Sequence, residues 1–129
     1  LHVVDNHGPD AVAQAQKAAN GAVWGVVDFV GAGDTVQFGV DCLVKGGKLV
    51  VVGLFGGDIT LSTPFVPIRA MTIQGSYVGS LPEMSELLEL VRRHGAPDIP
   101  IKARPLADAN ASLTDLKAGR VVGRVVLTP

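Results

Sequence analysis

Cysteine, aromatics and surplus charge are all scarce in this chain. Its 129 residues include one Cys, one Trp and one Tyr, and Asp plus Glu outnumber Lys plus Arg by only 12 to 11, for a net charge of -1. The lone thiol, Cys42, excludes a disulfide within the chain and fits a reducing compartment. No basic field exists to attract a nucleic-acid backbone or an anionic membrane. Apolar runs such as KLVVVGLF fall well short of the roughly 20 residues a bilayer span requires, and no charged start followed by an apolar stretch opens the chain. Nucleic acid and membrane are therefore excluded as partners, and a cytoplasmic location is expected. The three histidines, His2, His7 and His94, are dispersed without the i, i+4 spacing of a zinc site, so no metal ligand set is expected in this chain.

What the chain does hold is apolar sequence in short blocks: 47% hydrophobic against 18% charged, enough for one sizeable core in a soluble domain. The blocks alternate in character. LHVVD reads as a strand with nothing ahead of it, which suggests a piece of a longer protein. AVAQAQKAAN reads as a helix stopped by Asn20-Gly21. AVWGVVDFV, KLVVVGLFGG and MTIQGSYVG read as strands, apolar enough to be buried on both faces of a parallel sheet. Between the first two, Asp34 or Thr35 is expected to cap a helix with Val36, Val40, Leu43 and Val44 on one stripe, ending at Gly46-Gly47. DITLSTPFVPIRA carries Pro64 and Pro67 and reads as an irregular connection.

The best-marked helix is SLPEMSELLELVRRHG. Ser80 and Glu83 have capping-box spacing, Met84, Leu87, Leu88 and Val91 form the stripe, and Arg92, Arg93 and His94 complement the dipole before Gly95. IPIKARP follows as an exposed strand, DANASLTDLKAG as a helix and VVGRVVL as a last strand. Strands alternating with helices give βαβ units, hence an α/β fold with a parallel Rossmann-like sheet, a partial doubly wound fold with flanking helices. Ligands of such sheets sit at the carboxyl ends of the strands, which directs attention to Val30-Gly31, Gly53-Leu54 and Gly75 to Gly79.

VVDFVGAGDT has the look of a dinucleotide fingerprint. G-x-G-x-x-G needs its third glycine for close helix packing; Gly31 and Gly33 supply two, but Val36 takes the third place. The acid about 20 positions on is also missing from the next strand end, so the stretch reads as an ordinary strand-to-helix turn. Asp28, the one acid in an apolar strand, needs a hydrogen-bond partner and reads as structural. Cys42, near the helix stripe with no His cluster beside it, reads as core filler.

VVDFVGAGDT, LVKGGKLVVVG, TIQGSYVGS and the tail LADANASLTDLKAGRVVGRVVLTP, in that order and spacing, resemble the medium-chain dehydrogenase/reductase superfamily, and within it the zinc-type alcohol dehydrogenases. The resemblance implies residues 1–104 as the later part of an NAD(P)-binding domain and residues 105–129 as a helix and strand returning to an absent N-terminal catalytic domain. The family's glycine fingerprint and its zinc ligands would precede Leu1. It implies NAD or NADP as cofactor, zinc only in the parent protein, and hydride transfer between an alcohol and the cofactor. It places Val30 and Gly31 by the adenosine side, Val52, Gly53 and Leu54 along the nicotinamide ribose and carboxamide, Ser76, Tyr77 and Val78 at the carboxamide, and Arg124 near the pyrophosphate. It also implies a homo-oligomer through the Thr72–Gly79 edge strand. Other readings stand beside these: Gly53 and Gly75 as simple strand ends, Arg124 as a solvated side chain, Tyr77 as an interface aromatic, and the parent as a zinc-free quinone or enoyl reductase or a non-catalytic module.

Overall fold

A computed structural model describes residues 1–129, which cluster into two compact units, Leu1–Val78 and Gly79–Pro129. In the first unit the Ala- and Gln-rich segment forms α1 (Ala11–Ala18), followed by β1 (Val23–Asp28), α2 (Gly33–Cys42), β2 (Leu43–Val51), α3 (Phe65–Arg69) and β3 (Thr72–Gly75). The three strands lie in the order β1-β2-β3, all parallel. Their carboxyl ends are level: Asp28 pairs with Val51, and Val51 with Gly75. Everything that follows these three residues therefore emerges along one edge of the sheet.

The core of this unit is small. Val40, Leu43 and Leu49 are buried, with Val26, Val36, Val51, Phe65 and Met71 packed against them. The α2 stripe supplies Val36 and Val40, the strands supply Val26, Leu43, Leu49 and Val51, and Phe65 and Met71 come from α3 and the link to β3. Arg69 fastens α3 by donating to the Leu43 carbonyl, and its guanidinium lies 5.2 Å from the Phe65 ring centroid.

Several local expectations fail for physical reasons. LHVVD forms no strand: it does not pair with the open edge of β1, and its Leu1 and Val3 side chains stay exposed. Leu43 and Val44 belong to β2, not to the helix: α2 stops at Cys42, and the Gly46-Gly47 pair lies in a bulge where Val23 pairs with Leu43 but Gly25 with Lys48. The cap of α2 is Ala32, whose N–H donates to Thr35 Oγ1 at 3.1 Å. The proline-rich connection contains a helical turn, since Pro64 and Pro67 both sit where a first-turn N–H lacks a partner anyway. The strands are not buried on both faces. Trp24, Val27 and Ile73 stay open because few elements of this unit cover them.

In the second unit α4 (Leu81–His94) starts on the expected capping box, with Ser80 N–H donating to Glu83 Oε2 and Glu83 N–H to Ser80 Oγ. Its stripe is uncovered: Met84, Leu87 and Leu88 are all more than half exposed. Then come β4 (Ile101–Pro105), a 3-10 turn at Leu106–Asp108, α5 (Ala109–Lys117) and β5 (Arg124–Thr128), with β4 and β5 parallel. Asp115 ties α5 to β4 by accepting from Arg104 at 2.9 Å and from Arg120 at 2.8 Å. Those two guanidinium groups hold its carboxyl below the usual carboxylate range. β4 pairs with β5, so residues 101–105 lie beside the tail strand.

Candidate functional site

The level strand ends bring eight of the nine singled-out residues to one rim: Val30 and Gly31 after β1, Val52, Gly53 and Leu54 after β2, Ser76, Tyr77 and Val78 after β3. Arg124 lies in the other unit. It opens β5, its N–H donates to the Pro100 carbonyl at 2.8 Å, and the residue lines a cleft of about 270 Å³ with Ala109, Ser112 and Leu116.

Along the rim the β1 and β2 ends touch through bare backbone. A Cβ at Gly53 would run into the Val30 carbonyl and the Gly31 nitrogen, and one at Gly31 into the Gly53 carbonyl. Gly31 also sits at φ +69°, a left-handed conformation. Both glycines are thus required by the close approach of the two strand ends to each other, a structural use of each. Phe55 N–H donates to Val30 O at 3.1 Å and Gly56 N–H to Gly31 O at 3.0 Å, so the two exit loops continue side by side.

Asp28 holds this crossing from beneath. Its main-chain carbonyl accepts from Val52 and Gly53 N–H at 2.8 and 3.0 Å. Its carboxylate accepts from Val30 N–H at 2.8 Å and Gly31 N–H at 3.1 Å on one oxygen, and from the Thr35 hydroxyl at 2.9 Å on the other. Burial by itself would raise the Asp28 carboxyl. The hydrogen bonds from Gly31, Val30 and Thr35 together outweigh burial and hold it below its ordinary value, so the group is an anion at neutral pH. The sequence showed that Asp28 needs a partner; that the partners are the turn's own amides two and three residues on was not foreseen. The D-x-V-G spacing, with Thr35 seven residues from the acid, was the available signal.

The β3 end differs. Ser76 N–H donates to Val51 O at 2.9 Å, and there the ladder stops. The N–H groups of Leu54, Tyr77 and Val78 have no backbone partner in the chain. Val78, at φ +47°, is a β-branched residue in the left-handed region, a strained arrangement. Leu54, Tyr77 and Val78 are each about three-quarters exposed, so free donors and apolar side chains share the same rim.

Metal ligands are a different matter. No group of three or more His, Cys, Asp or Glu side chains converges anywhere in the chain, and so its residues do not fit a zinc ion. Cys42 is buried, and burial together with the Asp41 charge pushes its thiol up, the opposite of what a nucleophile or ligand needs. No helix is long and apolar enough to cross a membrane.

Comparison with known proteins gives concordant results. A family model described as zinc-binding dehydrogenase matches residues 1–93. Alcohol dehydrogenase 2 of Caenorhabditis elegans is 34% identical over 120 residues, covering 92% of this chain and 34% of that protein. An NAD-dependent alcohol dehydrogenase of Sulfurisphaera tokodaii is 27% identical over 129 residues, covering 99% of this chain and 37% of its own length. Among solved structures, the alcohol dehydrogenase of Aeropyrum pernix superposes with a TM-score of 0.86 at 33% identity, covering 99% of this chain and 37% of that one. The chain thus spans about a third of the length of these relatives.

Proposed function

This chain belongs to the zinc-binding dehydrogenase family, within the medium-chain dehydrogenase/reductase superfamily, and from that membership we propose that its sheet forms the nicotinamide-side wall of the cofactor site in an NAD(P)-dependent alcohol dehydrogenase. The observation that carries this reading is the rim of unpaired N–H groups at Leu54, Tyr77 and Val78 set among exposed apolar side chains. A nicotinamide carboxamide offers one acceptor and two donors on a flat ring, and such a rim meets it with N–H donors, carbonyl acceptors and a surface the ring can lie on. A nicotinamide bound there would supply the acceptor for hydride from the alcohol carbon. The chain's own part is to orient the ring and keep water from it.

On this reading the catalytic zinc and its ligands, and the grip on the cofactor's first phosphate, belong to an N-terminal catalytic and nucleotide-binding portion outside this chain. Arg124 is assigned to the pyrophosphate, Val30 and Gly31 to the adenosine side. A second copy is proposed to pair along β3, whose outer edge has no strand beside it.

The test is a titration of the complete protein with NADH and NADPH, followed by nicotinamide fluorescence, with the mass read by light scattering. A saturable enhancement with one or both, alcohol-dependent reduction of the oxidised form, and a dimer are expected. Absence of any saturable change with either nucleotide would remove the cofactor role, and a monomer at all concentrations would remove the pairing along β3.

A further inference from the structure

The turn at the head of α2 has the ingredients of an anion site. It has two glycines, a helix N-terminus, and three successive N–H groups from Val30, Gly31 and Ala32 at a strand end. None of those donors is free. Val30 and Gly31 give theirs to Asp28 Oδ1, and Ala32 gives its own to Thr35 Oγ1, whose hydroxyl in turn donates to Asp28 Oδ2. Asp28 as a residue is 6% exposed, and a Cβ added at Gly33 would meet the Asp58 carbonyl at 2.6 Å, so the space in front of the helix is filled by backbone as well.

We propose that Asp28 is a built-in anion occupying the place a phosphate would take, so that it both organises the Val30–Ala32 turn and turns the cofactor's phosphates away from it. A carboxylate with three donors is what a nest of amides otherwise binds from solution, and a fixed negative charge beneath the turn repels a second anion. Asp28 is therefore a specificity-determining residue. It makes a fingerprint-like turn deaf to phosphate and, with their carbonyls already accepting from Phe55 and Gly56 N–H, leaves Val30 and Gly31 little but surface to present. The filling of the turn by its own carboxylate concerns the chain's own donors and stands apart from the cofactor reading, whereas turning the cofactor's phosphates away rests on that reading.

Removing the internal anion should let an external one in. In Asp28→Ala of the full chain, sodium formate is expected to raise the melting temperature saturably, by about 5 °C above sodium chloride at equal ionic strength, with inorganic phosphate acting likewise but more weakly. The wild-type chain should respond to none of these beyond the chloride control. Equal responses in the variant and the wild type, or none in the variant, would overturn the proposal. Should Asp28→Ala fail to fold, Asp28→Asn keeps an acceptor while removing the charge. Its Val30 and Gly31 amide protons should move upfield and exchange on the order of tenfold faster, as weaker hydrogen bonds do. Unchanged shifts and exchange there would overturn it equally.

Discussion

Gly53→Ala is expected to destabilise the first unit by about 3 kcal/mol, roughly 12 °C or more of melting temperature. The added methyl has nowhere to go, because what it meets is backbone of the crossing strand end, the Val30 carbonyl and the Gly31 nitrogen, and no flexible side chain stands there to swing aside. Moving that backbone means breaking the Val52 and Gly53 hydrogen bonds to Asp28 O and the Phe55 bond to Val30 O. Gly31→Ala should cost at least as much, since the same collision is joined by a side chain forced to φ +69°. Gly25→Ala and Gly75→Ala are the controls: neither Cβ would meet anything within 4 Å, and each should stay within about 1 kcal/mol of the parent. Thermal melts of the four variants read this directly. Equal effects at all four positions would show that the close approach of the two strand ends is not real.

Leu49→Ala should remove a comparable amount, about 3 kcal/mol, from the same unit. Leu49 is fully buried in the middle of β2, where it packs with Val40 and Leu43 and lies against Gly39 of α2. A core with so few fully buried side chains has little with which to close the cavity. Since domains of this size hold a net stability of only about 5–15 kcal/mol, the variant should be near its limit at 37 °C. Leu87→Ala on α4 is the matching control, because a residue 51% exposed has little to lose by truncation. Urea unfolding followed by far-UV circular dichroism separates them: an early transition for Leu49→Ala and an unshifted one for Leu87→Ala. Identical midpoints would mean that the core is not where Val40, Leu43 and Leu49 place it.

The parallel βαβ order was legible because it depends on local signals that tertiary context seldom overrules. β-branched runs mark β1 and β2, Asn20-Gly21 closes the first helix, and Ser80 with Glu83 opens α4. From strand order alone, the carboxyl-end rule pointed to one edge of the sheet, and the register of Asp28, Val51 and Gly75 puts Val30, Gly53 and Ser76 along it. What stayed hidden depends on who the neighbours are. Apolar runs do not say whether a second face will be covered, so Trp24 and Ile73 looked buried and are open. LHVVD has strand composition, but composition does not say whether a segment will pair, and it leaves the free edge of β1 open. The end of α2 was misplaced because Leu43 continues the helical stripe as well as it starts β2. The Asp28 network escaped because a carboxylate's partners among backbone amides leave no trace in residue identities. The approach of Gly31 to Gly53 was only half visible, since glycine at a strand end has several uses and sequence does not choose among them.

The central claim is that the open donors after β2 and β3 face a nicotinamide ring, and amide chemical shifts of these residues within the complete protein on addition of NADH test it most directly. The account predicts saturable movement at Leu54, Tyr77 and Val78 with Gly25 and Gly95 unmoved, and no comparable movement on adding AMP alone. Shifts confined to residues 79–129, or a rim that ignores NADH at concentrations where the complete protein binds it, would contradict it.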